Sequence, residues 1–397
     1  MEGLAFLRSV LRRRPCGFAE KREKGVLGMK RFAAVLALSL AFALPAFAAE
    51  EEKVPVIRMA YTMTTHQQGF TIALQKGEAF KDFGVWFKPV VEKEKYDLYR
   101  GDKKIARFEV IVTKSGSEAA SLFAQEHLDL TTNSFPAMLS AIDSGTPIKV
   151  LAPIQADGIA MVGRLDSPVN DWDSLMAFIK EAKAPVKLGY HSPTSAPKIL
   201  VEAALFEAGL RLTGDANATK DEADVLLVDL KGVANFNPAL TSGQVDFWVA
   251  PAPIPQVSVL KEQGKMILDL KTLPPAGKWD HFPCCVTAAH VNVIEKYPDV
   301  LDAYLELLTK SSAWCNANKP EADELSAVWF GVPVEATRLS EMTYSTNPDE
   351  KWFRNASLYP DMLNKMGQFK NRLKGKTLEE SKELVFDLRW AEKYNAK

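Results

Sequence analysis

Cysteine is scarce in this chain, at four in 397 residues. Cys16 belongs to an N-terminal leader. Cys284, Cys285 and Cys315 are too few for a disulfide framework, and their spacing matches no zinc motif. In an oxidising compartment the adjacent pair could close on itself, or either member could join Cys315. Buried free thiols are the other reading. No glycine-rich phosphate loop is present, and no lysine sits in the setting such a loop needs, which excludes the common nucleotide-binding motifs. The apolar run Phe32 to Leu44 is shorter than the roughly 20 residues that span a bilayer. Excess positive charge is lacking as well. The leader, residues 1–48, holds nine Lys/Arg and three Asp/Glu, so the remainder keeps 40 basic and 47 acidic residues, a net of −7. That acidity excludes a general nucleic-acid binder.

What the leader does contain is informative. Lys30-Arg31 is a basic head after Met29, the apolar run follows, and Ala46-Phe47-Ala48 has the small-x-small form a signal peptidase accepts. The order is that of a secretory signal peptide, so the mature chain is expected to begin near Ala49 outside the cytoplasm. An uncleaved membrane anchor is the competing reading. Residues 1–28 carry no fold pattern, and Met29 is a second candidate start. The 349 residues left exceed one compact core, and two lobes are expected.

From Val54 the pattern alternates between strands and helices. Strands are expected at 54–61, 127–131, 148–153, 160–164, 186–190, 225–230 and 245–249, with helices between them, including 115–125 capped by Ser117. Lys95 to Val112 reads as a hairpin turning at Arg100-Gly101-Asp102-Lys103. Such alternation predicts an α/β fold with mostly parallel sheets. From Pro298 onward the chain reads as helical, with Thr377-Leu-Glu-Glu380 a capping box for the last helix. Three prolines in Ala250-Pro-Ala-Pro-Ile-Pro255 make that segment the expected crossover between lobes.

In open α/β sheets ligands bind beyond the carboxyl ends of strands, where helix N-termini point. The candidate site is therefore the set of polar residues just after each strand. These are Thr64, Thr65, His66 and Gln67, then Thr132, Asn133 and Ser134, then Gln155 and Asp157, then His191, Ser192, Thr194 and Ser195. In Gly189-Tyr-His-Ser-Pro-Thr-Ser195 a strand runs through hydroxyls straight into a helix. Those hydroxyls either hold an oxyanion or only cap the helix. His66 and His191 could serve as bases or metal ligands, but no spacing supports a metal and no Ser-His-Asp order stands out, which favours hydrogen-bonding or structural roles. Asp157 could pair with a ligand amine or cap a loop. Trp279 could lie over the cleft or be a rim residue without function. No Arg or Lys is clearly placed at a strand end, which points to a small monoanion or zwitterion.

Five stretches together resemble a known family. They are IRMAYTMTTHQQGF, HLDLTTNSFPAMLSAIDSGTPIKVLAP, KLGYHSPTSAPKILVEAALFEAGL, NPALTSGQVDFWVAPAP and VNVIEKYPDVLDAYLELL. From about Val54 to about Asn347 the chain resembles the periplasmic solute-binding proteins of ABC importers, most closely the nitrate/sulfonate/taurine group that also contains thiamine-precursor binders. His127 stands where the family's helix–Gly–x–Val/Ile–Asp pattern has Gly, Ala250-Pro251 where many members have Glu-Pro, and 95–112 looks like an insertion. The resemblance implies a two-lobe periplasmic-binding-protein fold of type II, each lobe a mostly parallel sheet flanked by helices, with a helical C-terminal region. Lobe 1 would comprise 54–155 and 251–397, and lobe 2 156–250. It implies a monomeric periplasmic subunit without cofactor, metal or catalysis. Such a subunit captures a small organic anion or zwitterion by hinge closure and delivers it to an inner-membrane ABC permease. The pyrimidine synthases of thiamine biosynthesis share the architecture and give an enzymatic alternative resting on His66 and Cys284-Cys285, although their cysteine-rich iron-binding cluster is missing here. A ligand-sensing subunit of a membrane receptor is a third reading.

Overall fold

The computed structural model describes residues 53–396, so the leader and its cleavage signal at 29–48 lie outside the described residues. Fourteen strands form two sheets. The first six are β1 (Val56–Thr62), β2 (Val85–Val91), β3 (Lys95–Arg100), β4 (Lys103–Thr113), β5 (Leu130–Ser134) and β6 (Ile148–Asp157). The next six are β7 (Ile159–Gly163), β8 (Val186–Tyr190), β9 (Leu212–Thr213), β10 (Val225–Asp229), β11 (Phe247–Pro251) and β12 (Lys265–Asp269). β13 (Pro283–His290) and β14 (Met342–Tyr344) complete the set.

The larger sheet has the order β14-β6-β13-β5-β1-β4-β3-β2, the smaller β12-β7-β11-β8-β10-β9. The expected parallel pairing holds for β8, β10, β9 and β11 in the smaller sheet and for β4, β1 and β5 in the larger. Elsewhere the larger sheet is antiparallel, because β13 returns between β5 and β6 and the β2–β3–β4 meander extends one edge. The hairpin turns at 100–103 as read from its turn residues. Its second strand is no appendage, however: β4 pairs with β1 in parallel from Val56↔Arg107 to Thr62↔Thr113. The end of β4 is thereby carried to the same sheet edge as the end of β1.

Aromatic rings fill the space between the larger sheet and its helices. Phe70 packs on Tyr61 at 5.7 Å and on Tyr304 at 6.3 Å, and Phe87 packs on Phe108 at 5.0 Å. Each such pair adds about 0.5–1.5 kcal/mol beyond its burial. The C-terminal segment folds back onto the same sheet. Asp143, buried at the end of the helix Phe135–Asp143, accepts backbone N–H bonds from Lys370, Asn371 and Leu373. Thr377 and Glu380 bond reciprocally, as the capping box requires, but the helix after them is only Lys382–Val385. No helix among the described residues is long and apolar enough to cross a membrane.

Two passages join the sheets. The first is the single step from β6 to β7 at Asp157-Gly158, both left-handed with φ of 66° and 74°. Glycine is required at 158, where a Cβ would stand 2.4 Å from Met342 Cγ. The second passage is 270–282, later than the proline segment 250–255. There the prolines instead end β11 and start the helix Ile254–Leu260, after which β12 still pairs with β7. The two passages are bonded to each other: Asp157 N–H donates to Phe282 O at 3.1 Å, and Phe282 N–H to Asp157 Oδ1 at 3.1 Å.

Candidate functional site

A cavity of about 380 Å³ opens between the two sheets. It lies at the carboxyl ends of β1, β4, β5, β10 and β11 and at the start of β13, the edge where open α/β sheets bind ligands. Three helices begin beside it. The helix Gly116–Ala124 starts at Ser115, whose side chain accepts from Glu118 N–H. The helix Phe135–Asp143 starts at Ser134, and Ala196–Glu207 at Ser195. The first two starts press close together: a Cβ on Gly116 would stand 2.6 Å from Ala137 Cβ. Gly116 and Ser134 both line the cavity, so the positive dipole ends of these two helices border a common space.

The chemistry of the wall is one-sided. Lys114, directly after β4, and Lys231, after β10, line the cavity, and no Asp or Glu does so among the described residues. Lys231 is already paired with Asp229 at 2.6 Å, whereas Lys114 makes no ion pair among the described residues. No Phe, Tyr or Trp lines it either. Met63, Val112, Pro197, Val233 and Pro251 supply an apolar part of the wall, and its lysines, hydroxyls and helix starts suit a small anion. Among the described residues the wall has no carboxylate pair for acid–base work, and the aromatic rings on it are the imidazoles of His66 and His191.

The sequence-derived candidates divide. Thr64, His66, Asn133, Ser134, His191 and Ser195 line the cavity. Thr65 is turned into the protein beside Met342, with its N–H on Ala252 O. Gln155 donates to Asp157 O, and Asp157 itself ties the two passages, the loop-capping alternative of its two readings. Burial pushes the Asp157 carboxyl above its usual range. Trp279 is fully buried within the second passage, bonded to Pro274 O and packed on Phe282 at 5.4 Å, so it does not cover the cleft.

Ser192 and Thr194 neither cap the helix nor line the cavity. The N-cap at the first helix is Ser115 rather than Ser117, and this releases the Ser117 hydroxyl across the cleft. Ser117 Oγ lies 2.7 Å from Ser192 Oγ and 2.8 Å from Thr194 Oγ1. Beside it Ser134 Oγ donates to Thr194 O at 3.3 Å and accepts from Ala196 N–H at 3.2 Å. These four bonds join an element of one sheet to an element of the other and form a clasp over the cleft.

Two buried nitrogens and thiols complete the wall. His191 stands edge-on to Phe236, and burial pushes its pKa down to about 4, so the ring is neutral at pH 7. Its Nδ1 has no hydrogen-bond partner among the described residues. Cys284 and Cys285 are free thiols 3.7 Å apart at Sγ, far beyond the about 2.05 Å of a disulfide, and Cys315 is free and buried elsewhere. The neighbouring Cys284 thiol holds the Cys285 thiol below its ordinary range, and burial pushes Cys284 up. Lys114, Lys231 and the cysteine pair were not in the sequence-derived set. The signal for Lys114 was its place after a strand, hidden while that strand was taken for an insertion.

Comparison with known proteins places this geometry. An uncharacterised protein of Methanocaldococcus jannaschii is 33% identical over 115 residues, which cover 28% of this chain and 79% of the relative. The periplasmic nitrate-binding protein of Synechocystis PCC 6803 superposes with a TM-score of 0.63 at 14% identity, covering 87% of this chain and 90% of that one. The alkanesulfonate-binding protein of Xanthomonas axonopodis pv. citri, solved with MOPS, superposes with a TM-score of 0.59 at 10% identity, covering 84% and 99%. The fold is that of the ABC-type periplasmic binding proteins. The sequence model of the NMT1-like family matches residues 50–330. This chain therefore belongs to the NMT1-like family.

Proposed function

We propose that this protein is the extracytoplasmic solute-binding subunit of an ABC importer, capturing a small organic anion or zwitterion of the nitrate, sulfonate or taurine kind and releasing it unaltered to a membrane permease. The observation that carries this reading is the cavity itself. It lies between two sheets joined by short passages, it carries two lysines and three helix starts, and no carboxylate lines it among the described residues. Its volume of about 380 Å³ is at the low end of small-molecule sites, about 300–1,000 Å³, and has ample room for a small organic anion. The solved structures that share the fold include proteins named for nitrate and for alkanesulfonate.

Closure follows from differential affinity. A solute touching Lys114 and Ser134 on one side and His191 and Ser195 on the other makes all its bonds only when the sheets approach, and each factor of ten in that preference is about 1.4 kcal/mol. The moving bodies in this reading are the larger sheet with its helices and the smaller sheet over 159–269. Export through the leader and a monomeric state belong to the same reading. Calorimetry of the purified mature chain against nitrate, short alkanesulfonates, taurine, carboxylates and thiamine-like pyrimidines tests it. One anionic solute should bind at one site and be recovered unchanged. Recovery of an altered product, or binding of the pyrimidines alone, would refute the reading.

A further inference from the structure

His66 and the cysteine pair are 218 and 219 residues apart in sequence, yet they meet on the cavity wall. His66 opens the turn after β1, and the thiols begin β13. Neighbouring residues of a regular strand point to opposite faces. Here the pairing of β13 with β6 slips between Pro283 and Cys285 and again between Cys285 and Val286. Such a bulge re-aims side chains, and it brings both sulfurs beside the imidazole. Sγ of Cys284 and Sγ of Cys285 are 3.7 Å apart, Cys285 Sγ is 3.8 Å from His66 Nδ1, and all three donor atoms lie within 4.8 Å of one another.

The two distances from Cys285 Sγ, 3.7 and 3.8 Å, fit a tetrahedral ion. With bonds of about 2.3 Å to sulfur and about 2.05 Å to nitrogen, a tetrahedral centre sets its ligands about 3.8 Å apart for S–S and about 3.6 Å for S–N. The surroundings fit as well. His66 Nε2 is 2.8 Å from Gly158 O, and a carbonyl can only accept, so the proton is on Nε2 and the Nδ1 lone pair faces the thiols. Gln67 Nε2 donates to Cys285 Sγ at 3.6 Å, a bond that favours thiolate, and Gln67 Oε1 is buried without a partner among the described residues.

We propose that His66, Cys284 and Cys285 bind one thiophilic metal ion of the Zn²⁺ class on the cleft wall, with the fourth position turned to the cavity. Two sulfur–metal bonds and one nitrogen–metal bond form. The two thiol protons leave to solvent and the charge of the ion is balanced by two thiolates, so no oxidant or reductant is needed. Three protein ligands leave a place for water or for an atom of a solute, as in open metal sites. The proposal goes beyond the anion-binding reading and does not depend on it.

Co²⁺ alone is the probe, added to the purified, reduced protein without any solute. One Co²⁺ per chain should bind, with a thiolate-to-cobalt charge-transfer absorption in the near ultraviolet that Zn²⁺ abolishes. The C284S/C285S double variant should lose that absorption, and Cys315→Ser should keep it. His66→Gln should keep a thiolate band but bind Co²⁺ about tenfold more weakly or worse, at least the loss that follows removal of an outer partner. Circular dichroism checks that each variant is folded. Absence of the band in the parent protein, which needs no variant, overturns the proposal. So does an undiminished band in the folded double variant. Neither result touches the anion-binding reading, because no anion is in the assay.

Discussion

Removing one hydroxyl, by Ser117→Ala, should loosen the closed form. Ser117 Oγ makes two part-buried bonds across the cleft, at 2.7 and 2.8 Å. A neutral hydrogen bond of this kind contributes about 1 kcal/mol net, so about 2 kcal/mol of the preference for closure should go. At about 1.4 kcal/mol per factor of ten, the closed-to-open ratio falls about 30-fold. Where the ligand-free protein is mostly open, the apparent dissociation constant for the best-binding anion rises by that factor. Where it is mostly closed, the constant moves less, and small-angle scattering of the ligand-free variant should show a larger radius than the parent. Calorimetry and scattering on the same samples therefore cover both cases. The triple variant S117A/S192A/T194A should lose little beyond Ser117→Ala, because all three hydroxyls serve one set of bonds. An unchanged affinity together with an unchanged radius would refute the clasp.

Three further outcomes follow. Lys114→Ala should weaken binding of a monoanion by about 1–1.5 kcal/mol, roughly five- to tenfold for a cation this exposed, and should flatten the salt dependence seen in calorimetry. His191 is neutral in the folded state and has its pKa lowered from 6.5 to about 4. Its contribution to stability is therefore complete above pH 6.5 and is lost as pH falls toward 4, because the unfolded chain takes up a proton that the folded one refuses; the loss is on the order of 3 kcal/mol. Urea unfolding across that window should show a shallower pH slope for His191→Gln than for the parent, and equal slopes would contradict the assignment. Gly116→Ala drives a methyl to 2.6 Å from Ala137 Cβ. It should lower stability by about 1–3 kcal/mol in the same assay, and an unchanged midpoint would mean that the helix pair yields freely.

Much of the scaffold was legible because periodicity and turn chemistry are local. The first strand, expected at 54–61, is observed at 56–62, and the hydroxyl-rich turn before Ala196 lies where the pattern placed it. The missed elements share a cause. β2, with sequence VWFKPVV, is an edge strand whose proline and lysine break the alternation a central strand shows. Pro253 and Pro255 looked like a stiff crossover because proline marks both a stiff linker and a helix start, and only the unread strand β12 distinguishes the two. The candidate site was read one strand end at a time, and Thr64, Asn133 and Ser134 from that reading lie on the cavity wall. What could not be read was which ends adjoin. Cys284 and Cys285 reach His66 only because β13 inserts antiparallel next to β5, and pairing across that sequence distance leaves no local trace.

The carbonyl of Gly158 serves two masters. It accepts from His66 Nε2 and from Ala252 N–H, each at 2.8 Å, and it sits on the single-residue step between the sheets. Any swing about that step turns the oxygen, and the imidazole must follow or let go. The joint is thus geared to the wall it supports, and in the proposed hinge closure whatever rests on the other nitrogen of that ring would be re-aimed as the jaws part.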